Sequence, residues 1–295
     1  MKKALKKGEK DLQNKQRLSK NTKIKIILAS VFLLLFALFA VILIGNFTIK
    51  ITRHQNESNK ITEPLRIALI SDLHQKSALD FEERIAEKIE KESPDLIFMA
   101  GDFISREDAN DNDFKNLNSL IRSLKEIAPV YFSLGNHERF NSKIEDICHT
   151  VEYAGGILLD SEYTNVTIKG NKLCIGGLSY YRSWDEESNA FLKRFCTASD
   201  DVYTILLCHH PEFYLWGIKD YDIDLTLSGH THGGMVKLPF IGPVYSPEQG
   251  WFPDYAAGFY EFENGHLAVT TGLGSSPEAM PRIFNRPEIM IIDLK

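Results

Sequence analysis

Apolar residues fall along this chain in three patterns. Residues 26–49 form an uncharged run dense in Leu, Phe, Ile and Val. A bilayer is crossed by about 20 such residues, and a signal-peptide core needs only roughly 7–15, so the run predicts one transmembrane helix. From Leu65 onward, short apolar runs alternate with stretches whose apolar residues recur at helical spacing. Residues 80–92 place Phe81, Ile85 and Ile89 on one face. Residues 110–127 do the same with Phe114, Leu117, Leu120, Ile121 and Leu124, and residues 142–153 with Ile144, Ile147 and Val151. A further helix is predicted over 186–195. Strands alternating with helices predict an α/β sheet with helices outside. The third pattern is strand and turn. Runs at 162–168 and 172–175 flank Lys169-Gly170-Asn171 and predict a hairpin. Short strands follow at 235–238, 258–262, 267–270 and 289–293.

Five of the apolar runs stop at metal-ligand residue types. The run from Leu65 ends at Asp72-Leu73-His74, and that from Asp95 ends at Gly101-Asp102. The run from Val130 ends at Gly135-Asn136-His137-Glu138, that from Tyr203 at His209-His210-Pro211, and that from Leu225 at Gly229-His230-Thr231-His232. Neutral imidazole and carboxylate are common metal ligands. Ligands of open α/β sheets sit beyond the carboxyl ends of the strands, so the set predicts one metal site built from five strand ends.

These five motifs, in this order, resemble those of the calcineurin-like metallophosphoesterases, and the resemblance runs from about Leu65 to the C-terminus. The ending from Pro281 to Glu288 resembles a membrane-anchored bacterial branch that includes enzymes similar to UDP-diacylglucosamine pyrophosphohydrolases. The resemblance implies a four-layer α-β-β-α sandwich, with residues 65–295 as one catalytic domain. It implies two divalent ions, manganese, zinc or iron, bridged by Asp102. Asp72, His74 and His232 complete one site, and Asn136, His209 and His230 the other. A hydroxide bridging the ions then attacks the phosphorus, and His137 acts as general acid or charge stabiliser beside the leaving group. The family's second motif often carries another Asp where Ser105 stands, and the branch often has Gln where Met235 stands. His210 reads equally as support for a ligand or as a structural residue. Glu138 reads equally as a ligand-orienting carboxylate or a surface residue. Thr231 reads as a loop residue, and His54, His149 and His266 as solvated or helix-surface residues.

Charge separates the chain into parts. Residues 1–25 carry ten Lys/Arg against two Asp/Glu, and residues 50–295 carry 24 against 38. The basic segment reads as a disordered tail or an exposed helix. With the apolar run after it, the positive-inside rule places the N-terminus in the cytoplasm and residues 65–295 outside, as a single-pass protein of the cell membrane. Residues 50–64 read as a polar linker. An acidic domain is a poor match to nucleic acid, where basic contacts to phosphate dominate affinity. The four cysteines lack Cys-x-x-Cys spacing, and Cys174 and Cys208 read as core thiols.

The expected function is a membrane-anchored phosphodiesterase or pyrophosphohydrolase acting on a phosphoester, with a lipid-linked one in view. Two aromatic clusters frame that substrate question. One is the Pro-rich stretch 238–253, and the other is Tyr180, Tyr181, Arg182 and Trp184. They read either as loop packing or as a wall for an amphiphile, with Arg182, Arg282 or Arg286 holding a second phosphate. The alternatives are a UDP-2,3-diacylglucosamine pyrophosphohydrolase, which needs a cytoplasmic site, and a non-catalytic metal-binding scaffold for protein partners.

Overall fold

Uninterrupted Val, Ile, Leu and Phe runs suit strands buried on both faces, and the strands form where those runs lie. The computed structural model describes residues 2–74, 80–105, 109–178, 185–199, 201–275 and 281–295. Along the chain come α1 (Lys2–Phe47), β1 (Lys50–Asn56), β2 (Leu65–Ile70), α2 (Phe81–Glu92), β3 (Leu96–Ala100), α3 (Asp111–Lys125) and β4 (Val130–Ser133). Then follow α4 (Asn136–Arg139), α5 (Ile144–Ala154), β5 (Ile157–Leu158), β6 (Glu162–Ile168), β7 (Asn171–Leu178), α6 (Glu186–Ala198), β8 (Tyr203–Cys208), α7 (Pro211–Trp216) and β9 (Leu225–Ser228). The last part holds β10 (Lys237–Leu238), β11 (Gly242–Pro243), β12 (Tyr245–Ser246), β13 (Gly250–Trp251), β14 (Gly258–Phe262), β15 (Gly265–Val269) and β16 (Glu288–Leu294).

Two six-stranded sheets result, ordered β1-β16-β2-β3-β4-β5 and β14-β15-β9-β8-β7-β6. Strands β2 to β5 are parallel, as are β7, β8, β9 and β15. Alternate residues of each strand face different layers. Ile67, Leu69, Phe98 and Tyr131 of the first sheet pack against Ile175, Ile205, Leu207 and Leu227 of the second. The first sheet's outer face meets Ile85, Ile89, Leu120, Leu124 and Val151 of its helices. The second sheet's outer face, with Cys174, Leu206 and Cys208, meets Phe191, Phe195 and Phe213. The architecture is the expected α-β-β-α sandwich. Cys174 and Cys208 are buried free thiols, as expected.

The structure takes one of the two readings of the basic segment and departs from the sequence reading at two other places. Residues 2–25 are helical and run without a break into the apolar stretch as α1. They contain no proline and are rich in Lys, which favours helix. Residues 50–56, read as part of a linker, form edge strand β1 and pair in parallel with β16. An edge strand with one solvated face carries too few apolar residues to be legible by periodicity. The strand expected at 235–238 shrinks to the two residues of β10 in a small hairpin with β11. Within α1, residues 22–47 are long and apolar enough to cross a membrane.

Candidate metal centre

The strand ends converge at one edge of the sandwich. Asp72 and His74 follow β2, Asp102 follows β3, and Asn136 and His137 follow β4. His209 follows β8, and His230 and His232 follow β9. The first three strands belong to one sheet and the last two to the other, so the site lies where the sheets meet. Asp72, His74, Asp102, His209, His230 and His232 are all buried.

The backbone bends sharply to aim these groups. Asp72, His74, Asp102, His230 and His232 adopt left-handed conformations, with φ between 46° and 67°. Such residues cost on the order of 1–3 kcal/mol each and persist only where their surroundings hold them. Here the holding bonds are visible. Asp72 N donates to Gly101 O at 2.9 Å, and His74 N donates to Asp102 O at 3.1 Å. His230 N donates to Asp72 Oδ1 at 3.1 Å, and His137 N donates to Asp102 Oδ1 at 2.8 Å. The carboxylates therefore tie the loops of both sheets together. Gly135 must be glycine, because a Cβ there would collide with the Asp102 carboxylate.

Around Asp72, nitrogen lone pairs and carboxylate oxygens meet. His74 Nε2 lies 3.2 Å from His232 Nε2, and Asp72 Oδ1 is 3.9 Å from the former and 3.6 Å from the latter. Burial pushes the His74 pKa down to about 3 and that of His232 well below its usual value. Both rings are neutral at pH 7, which is the ligating form. Around Asp102 the balance is reversed. His209 Nδ1 donates to Ala100 O at 2.6 Å, which leaves Nε2 facing Asp102 Oδ2 at 3.0 Å without hydrogen-bond geometry. Burial opposes charge on His209, but Asp102 and Asp72 override it and raise the pKa to about 10. Two buried carboxylates that recruit a proton onto a neighbouring imidazole form a site that favours positive charge, and a cation displaces such protons. The donor set fits divalent metals.

His210 belongs to this cluster. Its ring stacks on that of His230, with centroids 3.5 Å apart, and its Nε2 is 3.0 Å from Asn136 Oδ1. Asn136 thereby reaches the group through His210. His230 Nε2 also lies 2.8 Å from Glu248 Oε2, a residue without a motif signal in the sequence. Donor atoms of Asp72, His74 and His232, of Asp72, Asp102 and His209, and of His209, His210 and His230 lie mutually within 4.8 Å. His137 sits at the rim, partly exposed, with Nε2 3.9 Å from Asp102 Oδ2 and its ring edge-on to His74.

Glu138 is not on the surface. It is fully buried and accepts hydrogen bonds from Asp102 N at 2.8 Å, Phe103 N at 2.6 Å, Ile104 N at 3.0 Å and Gly135 N at 2.9 Å. Arg282 is also buried. Its Nε donates to Gly274 O at 2.6 Å, and its Nη2 lies 3.4 Å from His232 Nδ1. It supports His232 from behind and is not an open phosphate clamp. Thr231 Oγ1 anchors the histidine loop by donating to Ala256 O at 2.6 Å. Ser105 packs into the fold through its carbonyl, which accepts from Asn141 Nδ2 at 3.0 Å. His149 lies on the surface of α5, whereas His54 and His266 are half-buried strand residues stacked on Phe259. The cluster of Tyr180, Tyr181, Arg182 and Trp184 lies outside the described residues.

Comparison with known proteins follows the same span. A family profile described as calcineurin-like phosphoesterase matches residues 65–234. The uncharacterized metallophosphoesterase YkuE of Bacillus subtilis (strain 168) is 28% identical over 256 residues, covering 84% of this chain and 86% of that protein. Phosphodiesterase YaeI of Escherichia coli (strain K12) is 27% identical over 236 residues, covering 78% of this chain and 82% of its own length. Among solved structures, TT1561 of Thermus thermophilus superposes with a TM-score of 0.49 at 14% identity, over 72% of this chain and 91% of that one.

Proposed function

The chain belongs to the calcineurin-like phosphoesterase family, and from that premise we propose that it is a phosphodiesterase or pyrophosphohydrolase anchored in the cell membrane by α1. It is a metal-dependent hydrolase of phosphoester bonds. The observation that carries the proposal is the meeting of carboxylates and imidazoles from five strand ends in one cluster, nearly all of it buried.

Asp72, His74 and His232 would hold one divalent ion and Asn136, His209 and His230 a second, with Asp102 available to both. Mixed oxygen and nitrogen ligands suit manganese, iron or zinc. When bound, the pair supplies Lewis-acid chemistry toward water and the phosphoryl oxygens. The protein's own contribution is positional. Glu138 fixes the Asp102 loop through four backbone donors, Ala100 O sets the tautomer of His209, and Arg282 backs His232. His137 stands at the open rim and carries a proton for the leaving oxygen.

The 26 residues of Thr22–Phe47 in α1, long and apolar enough to cross a membrane and not buried against the protein in their most apolar part, support the membrane anchor. The basic residues before it support an orientation with the N-terminus in the cytoplasm and the sandwich outside. On that side the substrate is a phosphoester of an exported amphiphile in preference to a cytoplasmic nucleotide-linked lipid. Protease treatment of intact cells checks the orientation, and a fully protected sandwich reverses it.

The activity is tested on full-length protein in detergent, stripped of metal and reloaded with manganese, zinc or iron. Metal-dependent hydrolysis of an aryl phosphodiester or a pyrophosphate, abolished by Asp102→Asn, is expected. Two bound metals per chain with no turnover on diester, monoester or pyrophosphate would leave the scaffold reading in its place.

A further inference from the structure

The segment after the metal histidines exposes large apolar side chains beside the site. The β10–β11 hairpin carries a fully exposed Phe240 at its tip, next to exposed Ile241. In the β12–β13 hairpin Tyr245 and Trp251 meet edge to face at 5.5 Å, and Trp251 is 72% exposed. Phe252 and Phe284 are exposed as well. Short bonds join these residues into one surface. Phe252 N donates to Val244 O at 2.9 Å, Val244 N donates to Val236 O at 3.0 Å, and Lys237 N donates to Ile283 O at 2.9 Å. Soluble monomers rarely expose so many contiguous large apolar residues without a partner for them.

The chain itself indicates the partner. The 281–288 segment that carries Phe284 also receives the end of the apolar helix. Asn46 Nδ2 donates to Arg282 O at 2.8 Å, and Arg282 N donates to Asn46 Oδ1 at 2.8 Å. Exposed Arg286 donates from Nε to Thr48 O at 3.2 Å. The chain therefore leaves its apolar span within a few residues of this aromatic surface. Trp, Tyr and Phe with a flanking Arg are the side chains that settle at the bilayer–water interface.

We propose that the β10–β11 and β12–β13 hairpins, with Phe284, form a docking surface that inserts into the headgroup region of the membrane carrying α1. The inference rests on the reading of α1 as a membrane anchor. Its consequence is for substrate. Glu248, in the turn of the β12–β13 hairpin, is 2.8 Å from His230, so a docked hairpin brings the metal cluster to the depth of lipid phosphates. The enzyme then takes amphiphiles from the bilayer surface and does not wait for them to dissolve.

Depth-dependent quenching tests this on the full chain in phosphatidylcholine vesicles. Trp184→Phe and Trp216→Phe leave Trp251 as the single tryptophan. Lipids brominated near the headgroup end of the acyl chains should lower its emission by about half, as for a ring seated at the headgroup boundary. Two reporters in a background that also carries Trp251→Phe serve as references. Phe36→Trp, near the middle of the span, reports the anchor through lipids brominated near the methyl end of the acyl chains, and Asn264→Trp, in the β14–β15 turn at the far end of the sheet, should stay unquenched. Phe240→Trp in that background repeats the reading from the neighbouring hairpin. Quenching at Phe36→Trp with none at Trp251 or Phe240→Trp overturns the docking surface and leaves the anchor standing, whether solvent, a second copy or another protein covers the hairpins. No quenching at Phe36→Trp removes the anchor and the docking surface together.

Discussion

Glu138 shows how a single residue shapes the site without being one of its proposed ligands. Its carboxylate gathers four backbone N–H groups from the loops after β3 and β4, fixing the turn that aims Asp102. Removing it leaves buried donors without an acceptor, each costing about 1–3 kcal/mol. Glu138→Ala should therefore lose about 3 kcal/mol or more of stability in urea denaturation and bind less metal. An unchanged midpoint and metal content would refute that role. His137 is the opposite case, partly exposed at the rim and outside the strained turns. His137→Ala should keep its metal content and fold, while kcat falls by about 10²–10⁴-fold. Unchanged turnover would remove it from the mechanism. The residues proposed as ligands were legible as candidates from their types at five run ends, and the structure gathers their strand ends at one edge of the sandwich. Glu138, His210 and Arg282 were not resolved, because one burial state or another of a charged residue leaves the same letter in the sequence.

At the scale of elements, Glu288 opens β16 and links the two sheets. It accepts from Lys50 Nζ at 2.8 Å and from Thr52 Oγ1 at 2.9 Å, both on β1. It also accepts from Thr271 N at 2.7 Å, just past β15 of the other sheet. Burial opposes its ionisation, but Lys50 and these donors together hold its pKa below the usual 4.5. A depressed carboxylate contributes stability that is complete above the unfolded value and is lost as pH falls through the folded one. Glu288→Gln should thus cost about 2 kcal/mol near pH 7, as for hydrogen bonds to a charged group. The gap from the parent protein should close as the pH drops below about 4.5. A gap independent of pH would mean that packing, not charge, is what Glu288 supplies. The sequence concealed this element because β1 alternates polar and half-buried residues and its partner strand lies more than 200 positions away.

For the whole molecule, the proposed metal centre would also be a clasp. Its groups come from both sheets, so an ion bound there stabilises the sandwich that assembles it. Each ion present at about 100 times its Kd should add about 2.7 kcal/mol, which for a body of this size is roughly 5–10 °C in Tm. Chelation should lower Tm by that amount, and readdition of manganese or zinc should restore it. A Tm indifferent to metal would place the cluster outside the folding unit. The linear sequence by itself determined the layered α/β architecture, the apolar span and the residue types of the centre. Those are carried by local periodicity and by what stands at the end of each apolar run. Only the tertiary structure decided which sheet supplies which group, that five of them sit in left-handed turns, that Glu138 and Arg282 are buried behind them, and that residues 50–56 close a sheet edge. The physical reason is range. Periodicity reports the contacts a residue makes within its own element, whereas burial, charge balance and strand partners depend on segments brought together from far along the chain.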